Sequence, residues 1–167
     1  GNCQFIVSGT TFDTATPGTF GTALSTSNDT YYLHLRAIDT AGNISATNES
    51  FGFRFDNTPP TNPGFVSAPS GFINSKEVTL TWPTAGGNAP NDSNSGFAGL
   101  QYRIENTNWY GDAHTGTGDS TDLLVNDGSY TTIDPTDFNN LADGINTVYF
   151  RTWDQAGNVT TNYTTAV

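Results

Sequence analysis

The sequence has only five basic residues, Arg36, Arg54, Lys76, Arg103 and Arg151, against 16 acidic ones, for a formal net charge of −11. A nucleic-acid or anionic-membrane partner needs a basic patch, and five scattered cations do not build one. A single cysteine, Cys3, excludes an intrachain disulfide framework. No apolar run approaches the roughly 20 residues of a membrane-spanning helix, so no membrane insertion is expected within this segment. No signal peptide is recognisable and the chain does not begin with Met, so a processed or excised fragment is expected. Long amphipathic runs at helical spacing are also missing, which predicts little helix.

Aromatic residues make up 13% of the chain, as many as all charged residues together. Disordered chains show the opposite balance, so a packed core is expected. Gly, Thr, Asn and Ser cluster between short apolar runs, the composition of many turns joining many strands. A length of 167 residues has room for one large domain or two small ones.

An internal repeat decides between these. Leu33 to Ser45 read LHLRAIDTAGNIS and Val148 to Thr160 read VYFRTWDQAGNVT, so Asp39 and Asp154 stand 115 residues apart in equivalent places. Gln4 to Val7 similarly matches Gln101 to Ile104 at a slightly shorter offset. The chain therefore holds parts of two copies. Within each copy the residues alternate at the strand period of two, which turns Leu33, Leu35 and Ala37 inward, and likewise Val148, Phe150 and Thr152. Tyr149, Arg151 and Trp153 then face outward. Gly42 with Asn43, and Gly157 with Asn158, tolerate positive φ where the chain reverses. Asp39 and Asp154 are placed to brace these turns by accepting amide hydrogen bonds two or three residues on. The same carboxylates could serve as metal ligands, but the spacing points first to the turn.

The second copy is the more complete. Strands are expected around Phe65 to Ser67, Val78 to Trp82 (closed by Pro83), Gln101 to Ile104, a hairpin through Asn106 to Asn108 into Trp109 and Tyr110, Ser129 to Ile133, and the two repeat strands. The prolines of 58–63 predict a stiff extended linker. The first copy lacks counterparts of the strands at Phe65 and Val78. Phe5, Val7, Leu33, Leu35 and the Phe51–Phe53–Phe55 strand would then be exposed unless upstream residues or another chain complete it. Cys3 aligns with Leu100 and is expected to be a small core residue.

Trp82 in VTLTW-P, Tyr102 in LQYRI, the strands ending in D-x-A-G-N and the D-N-T-P-P boundary resemble the tandem Ig-like and fibronectin type III-like repeats of large bacterial or archaeal cell-surface proteins. The resemblance implies an all-β chain of tandem β-sandwiches, the first incomplete: 1–57 the back part of one repeat, 58–63 the linker, 64–167 a nearly complete repeat. It also implies an extracellular, cell-surface or secreted stalk or adhesin setting, with neighbouring repeats as partners. It does not name a ligand.

Catalysis has little to work with. His34 and His114 are the only histidines, and neither G-x-S-x-G nor H-E-x-x-H occurs, so no enzyme is expected. Asn108 to Asp143 carries seven aspartates without EF-hand spacing, and Asp112, Asp119 and Asp122 are the first candidates for a calcium ion, the only cofactor considered. Asp and Gly are equally the ordinary material of exposed turns. Trp109 and Tyr110 beside that loop suit sugar stacking, and Tyr149, Arg151 and Trp153 with Arg103 suit a cation–π ladder. Those residues would bind a surface glycan, or simply stiffen the sheet. Lys76, the one lysine, reads as an exposed strand entry rather than an isopeptide donor, and six N-x-[ST] sequons follow from composition. The expected role is a structural or adhesive module acting as a spacer or stalk; the alternative is a carbohydrate-binding module supported by calcium.

Overall fold

The computed structural model describes residues 27–74, 78–105, 107–125, 127–132, 143–160 and 163–166. The expectations for Cys3, Phe5, Val7, the Gln4–Val7 match, Lys76 and Ile133 lie outside them. The chain divides into two compact units, Gly1–Asn57 and Thr58–Val167. The described strands form small open sheets. The one helical element among the described residues is a single 3₁₀ turn, Gly86–Asn88, so the described chain is all-β, and none of its described residues forms a helix long and apolar enough to cross a membrane.

In the first unit, β1 (Ser27–Leu35) pairs antiparallel with β2 (Glu49–Phe55). The register sets Tyr31 opposite Phe53 and Leu33 opposite Phe51, which gathers the apolar side chains on one face. Tyr31 stacks on Phe53 with ring centroids 5.9 Å apart. On that face Phe51 is 54% exposed and Leu35 41%, while Tyr31, Leu33, Phe53 and Phe55 are half-buried.

In the second unit, β3 (Val78–Thr81) pairs with β5 (Ser129–Thr132). A separate sheet has the order β4 (Phe97–Ile104), β6 (Thr147–Asp154), β7 (Tyr163–Ala166). Side-chain alternation does what the sequence predicts. Along β6, Val148, Phe150, Thr152 and Asp154 are buried while Tyr149, Arg151 and Trp153 are half-exposed. Val78, Leu80 and Trp82 from the β3 side join Leu100, Tyr102, Ile104, Val148 and Phe150 in one core. Trp82 meets Phe150 there, with ring centroids 6.2 Å apart.

Two elements differ from expectation. The segment around Phe65 makes no extended strand. It contributes one antiparallel bridge, Ser67 to Thr81, and buries Val66. Residues 58–63 are not a free linker but part of the second unit. Pro60 and Pro63 are buried, the Thr61 amide donates to the Asn91 carbonyl at 2.8 Å, and Asn62 Oδ1 accepts from the hydroxyls of Thr152 and Thr160. Proline confines φ, and the free carbonyls and polar side chains between the rings then find partners on the neighbouring loops.

The repeated turn is the same structure twice. The amides of Asp39 and Asp154 donate to the carbonyls of Asn43 and Asn158, at 2.9 and 3.1 Å. The amides of Gly42 and Gly157 donate back to the Asp carbonyls, at φ of 89° and 90°. Each Asp carboxylate accepts from the Asn amide and from the Asn side chain four residues on, all four bonds being 2.8 Å. In the first copy the Ala41 amide donates to Asp39 as well. These bonds, led by the Asn43 side chain, hold the Asp39 carboxyl below the usual aspartate range.

Candidate ligand-binding face

The outward residues of β4 and β6 form a ladder of alternating rings and cations. Arg103 lies opposite Tyr149 and Gln101 opposite Arg151 in the strand register. The Arg103 guanidinium sits 4.8 Å from the Tyr149 ring centre and 4.9 Å from that of Trp109. The Arg151 guanidinium lies 4.3 Å from Trp109 and 5.3 Å from Trp153. The order along the face is thus Tyr149, Arg103, Trp109, Arg151, Trp153. Every residue named in the sequence for this ladder is in it. Tyr110 is not: it is buried on the core side, stacked on the imidazole of His114 at 4.1 Å and against Tyr102 at 6.1 Å. It therefore offers no sugar-stacking surface. The reason is its pairing, since Tyr110 exchanges both backbone hydrogen bonds with inward-facing Tyr102 and inherits its side of the strand.

The free edge of β4 is occupied at two points, Tyr102 by Tyr110 and Leu100 by Leu124. Residues 111–123 leave the sheet between them as a closed excursion. At its neck Gly111 lies so close to the Asp122 carbonyl and the Leu123 nitrogen that a Cβ would overlap them. Inside the excursion the Asp122 carboxylate, 1% exposed, accepts from the Ala113 amide (2.9 Å), the Thr115 amide (2.7 Å) and the Thr115 hydroxyl (3.0 Å). Burial pushes this carboxyl up, but the amides of Gly111, Thr115 and Ala113 and the Thr115 hydroxyl outweigh it and hold it below the usual range. Asp119 braces its own turn through the Thr121 amide and hydroxyl, which lower its carboxyl as well.

The excursion lies over the ladder through Gln101, which sequence reasoning passed over. Its amide nitrogen donates to the carbonyls of Asp119 and Asp122, both at 2.8 Å. Its amide oxygen accepts from Arg151 Nε (2.9 Å) and Trp153 Nε1 (2.8 Å), and the residue is fully buried. Arg151 also donates to the Gly118 carbonyl. In LQYRI a Gln at an outward position reads as ordinary surface. The only available signal was three glycines, Gly111, Gly116 and Gly118, in the segment that covers it.

Among the described residues, Asp112, Asp119 and Asp122 do not converge as a carboxylate cluster; the acidic oxygens that approach within 4.8 Å in this unit belong to Asp92 and Asp154. Both are engaged locally, Asp92 by the amides of Asn94 and Gly96 and Asp154 by Asn158. Of the two histidines, exposed His34 bonds Ser50 Oγ at 2.6 Å, while His114 Nδ1 is 3.3 Å from the Tyr102 hydroxyl.

Asp122 gives a pH prediction with a definite sign. A carboxyl depressed in the folded state stabilises above its unfolded value of about 3.9, and that stabilisation is lost as pH falls through the folded value. Thermal melting should therefore be flat down to about pH 4 and fall below it. Asp122→Asn should lower stability at neutral pH by about 1–3 kcal/mol, because an amide nitrogen then faces backbone donors, and should weaken the acid-limb fall. An unchanged melting profile for the variant would remove Asp122 as the loop's organiser.

No family model matches the chain, and no curated protein is close enough in sequence to count as a match.

Proposed function

We propose that the chain is an extracellular structural or adhesive module of a repetitive cell-surface protein, its second unit an Ig-like or fibronectin type III-like sandwich that works as a spacer or stalk. The observation that carries this is the D-x-A-G-N turn, built twice with the same hydrogen bonds 115 residues apart. Repeated units of one local architecture are how chains build extended arrays from small cores. In such an array, upstream residues or a neighbouring chain would cover the exposed Leu35 of β1 and Phe51 of β2.

Single-molecule pulling tests the spacer reading. The 110 residues from Thr58 to Val167 should unfold in one step releasing about 35–40 nm of chain, at roughly 3.3–3.6 Å per residue. Release in many small steps at the lowest measurable force would contradict a load-bearing module.

The cation–aromatic ladder favours a second reading, carbohydrate binding, because aromatic rings beside planar hydrogen-bond donors suit saccharide recognition. Calcium support for it would have to displace the hydrogen bonds that Asp122 and Asp119 already make. Retention on a glycan array with and without chelator measures that dependence.

A further inference from the structure

On the side of the β1–β2 pair away from Leu33 and Phe51, a serine and a histidine meet. His34 stands directly opposite Ser50 in the register, and its Nδ1 lies 2.6 Å from the Ser50 Oγ. Opposed residues of an antiparallel pair point to the same side with Cβ atoms about 4.5–5.5 Å apart, so strand pairing alone brings the two groups together. Both residues are exposed. Beside them Tyr32 stacks on the imidazole, with ring centroids 6.3 Å apart and planes 23° from parallel. Tyr32 in turn stands opposite Gly52, where a Cβ would come within 3.0 Å of Thr30 Cγ2 and 3.5 Å of Tyr32 Cε1. The glycine thus gives the tyrosine ring its room, and the ring steadies the imidazole plane.

The fold does not require this pair. At the repeat offset of 115 residues His34 corresponds to Tyr149, which stands opposite Thr164 and has its ring under the Arg103 guanidinium. A cross-strand hydrogen bond contributes about 0.2–1 kcal/mol, and many hydroxyl or amide pairs would supply as much. A hydroxyl bonded to an imidazole nitrogen has a chemical property that those pairs lack. Serine is a weak nucleophile until a base takes its proton, and a base about 2.6–3.2 Å from the oxygen can do so. With the imidazole proton on Nε2, which has no protein partner among the described residues, His34 presents its Nδ1 lone pair to the Ser50 hydroxyl.

We infer that Ser50 is an acyl-accepting nucleophile with His34 as its general base, and that its substrate is an activated ester. Ser50 Oγ adds to the acyl carbon while its proton passes to His34 Nδ1. The bond to the leaving oxygen then breaks, the alcohol departs with that proton, and Ser50 is left as an ester. No further reactant is consumed. Tyr32 is a positioning residue, acting through the imidazole. Among the described residues no carboxylate backs His34, so the acceleration belongs at the low end of the general-base range, about 10²-fold. Acyl transfer at this pair adds to the spacer role and does not depend on it.

The test treats the intact chain with p-nitrophenyl acetate, following p-nitrophenol release and locating acetyl groups by peptide mass spectrometry. Ser50 should be acetylated about 10²-fold faster than Ser70, an exposed loop serine of the same molecule. His34→Gln keeps an amide to bond the hydroxyl but cannot take its proton. It should slow Ser50 by about the same factor and leave Ser70 unaltered. Ser50→Ala should abolish the fast phase of release. Tyr32→Ala should slow Ser50 severalfold, and Tyr32→Phe, which keeps the stacked ring, should restore the rate. Equal acetylation of Ser50 and Ser70 in the unsubstituted chain, a comparison that needs no variant to fold, would overturn the nucleophile. An unchanged Ser50 rate in His34→Gln would overturn the base and reduce the pair to a sheet contact. Undiminished release by Ser50→Ala, with acetyl on His34, would show the imidazole acting alone and overturn transfer to serine.

Discussion

Phe150→Ala should destabilise the second unit by about 3–5 kcal/mol, since a fully buried aromatic side chain is lost and its space is only partly refilled. Phe150 extends from β6 to Trp82 just beyond β3, so its ring joins two sheets that share no backbone ladder. A unit of this size has a total stability of roughly 5–15 kcal/mol, and each kcal/mol is worth several degrees of melting temperature. The loss should appear in calorimetry as a fall of roughly 15–25 °C. The same truncation at Phe51, more than half exposed on β2, should cost less than about 1 kcal/mol. A loss below 1 kcal/mol at Phe150 would mean the two sheets do not share a core.

Gly111→Ala should open the excursion at its neck. The added methyl would overlap the backbone of Asp122 and Leu123, and backbone cannot step aside as a flexible side-chain tip can. Overpacking of this kind costs about 1–3 kcal/mol, and separation of the neck would also strand the Ala113 and Thr115 amides that the Asp122 carboxylate accepts from and the Gln101 side-chain amide that donates to the Asp122 carbonyl. The expected total is about 2–4 kcal/mol, concentrated in the loop. Limited proteolysis within 112–121 should accelerate at least tenfold, because each 1.4 kcal/mol of local opening multiplies the cleavable population by ten. A variant as resistant as the parent would show that the neck is not what closes the loop.

The parts legible in the sequence are those governed by neighbours along the chain. Alternation in VTLTW and VYFRTWD fixes which side chains of β3 and β6 turn inward, because the pleat reverses at each residue. The turn at D-x-A-G-N is local for the same reason, with all its bonds closing within five residues. The ladder was also readable, since Tyr149, Arg151 and Trp153 share one face of one strand. Whatever depends on distant contact was not. Seven aspartates between Asn108 and Asp143 look alike, and only the folded neck shows that Asp122 turns inward while Asp119 braces a surface turn. Tyr110 followed its bridge partner to the core, against the reading that set it beside Trp109. Gln101 is buried by residues 18 and 21 positions away. The prolines of 58–63 were read from their stiffness, whereas their position follows from acceptors and donors on Asn91, Thr152 and Thr160.

Proteins made of look-alike neighbours run a particular risk: strands from adjacent repeats can pair with one another while folding, and the misjoined product is kinetically trapped. An unprotected sheet margin is the usual point of entry. In the second unit the outer margin of β4 is already taken at Leu100 and Tyr102 by Leu124 and Tyr110, with the pinched excursion filling the interval. A strand arriving from a sister repeat would have to displace both bridges and the loop between them. The segment that holds the arginine ladder in place thus also guards this margin of β4 against a competing strand.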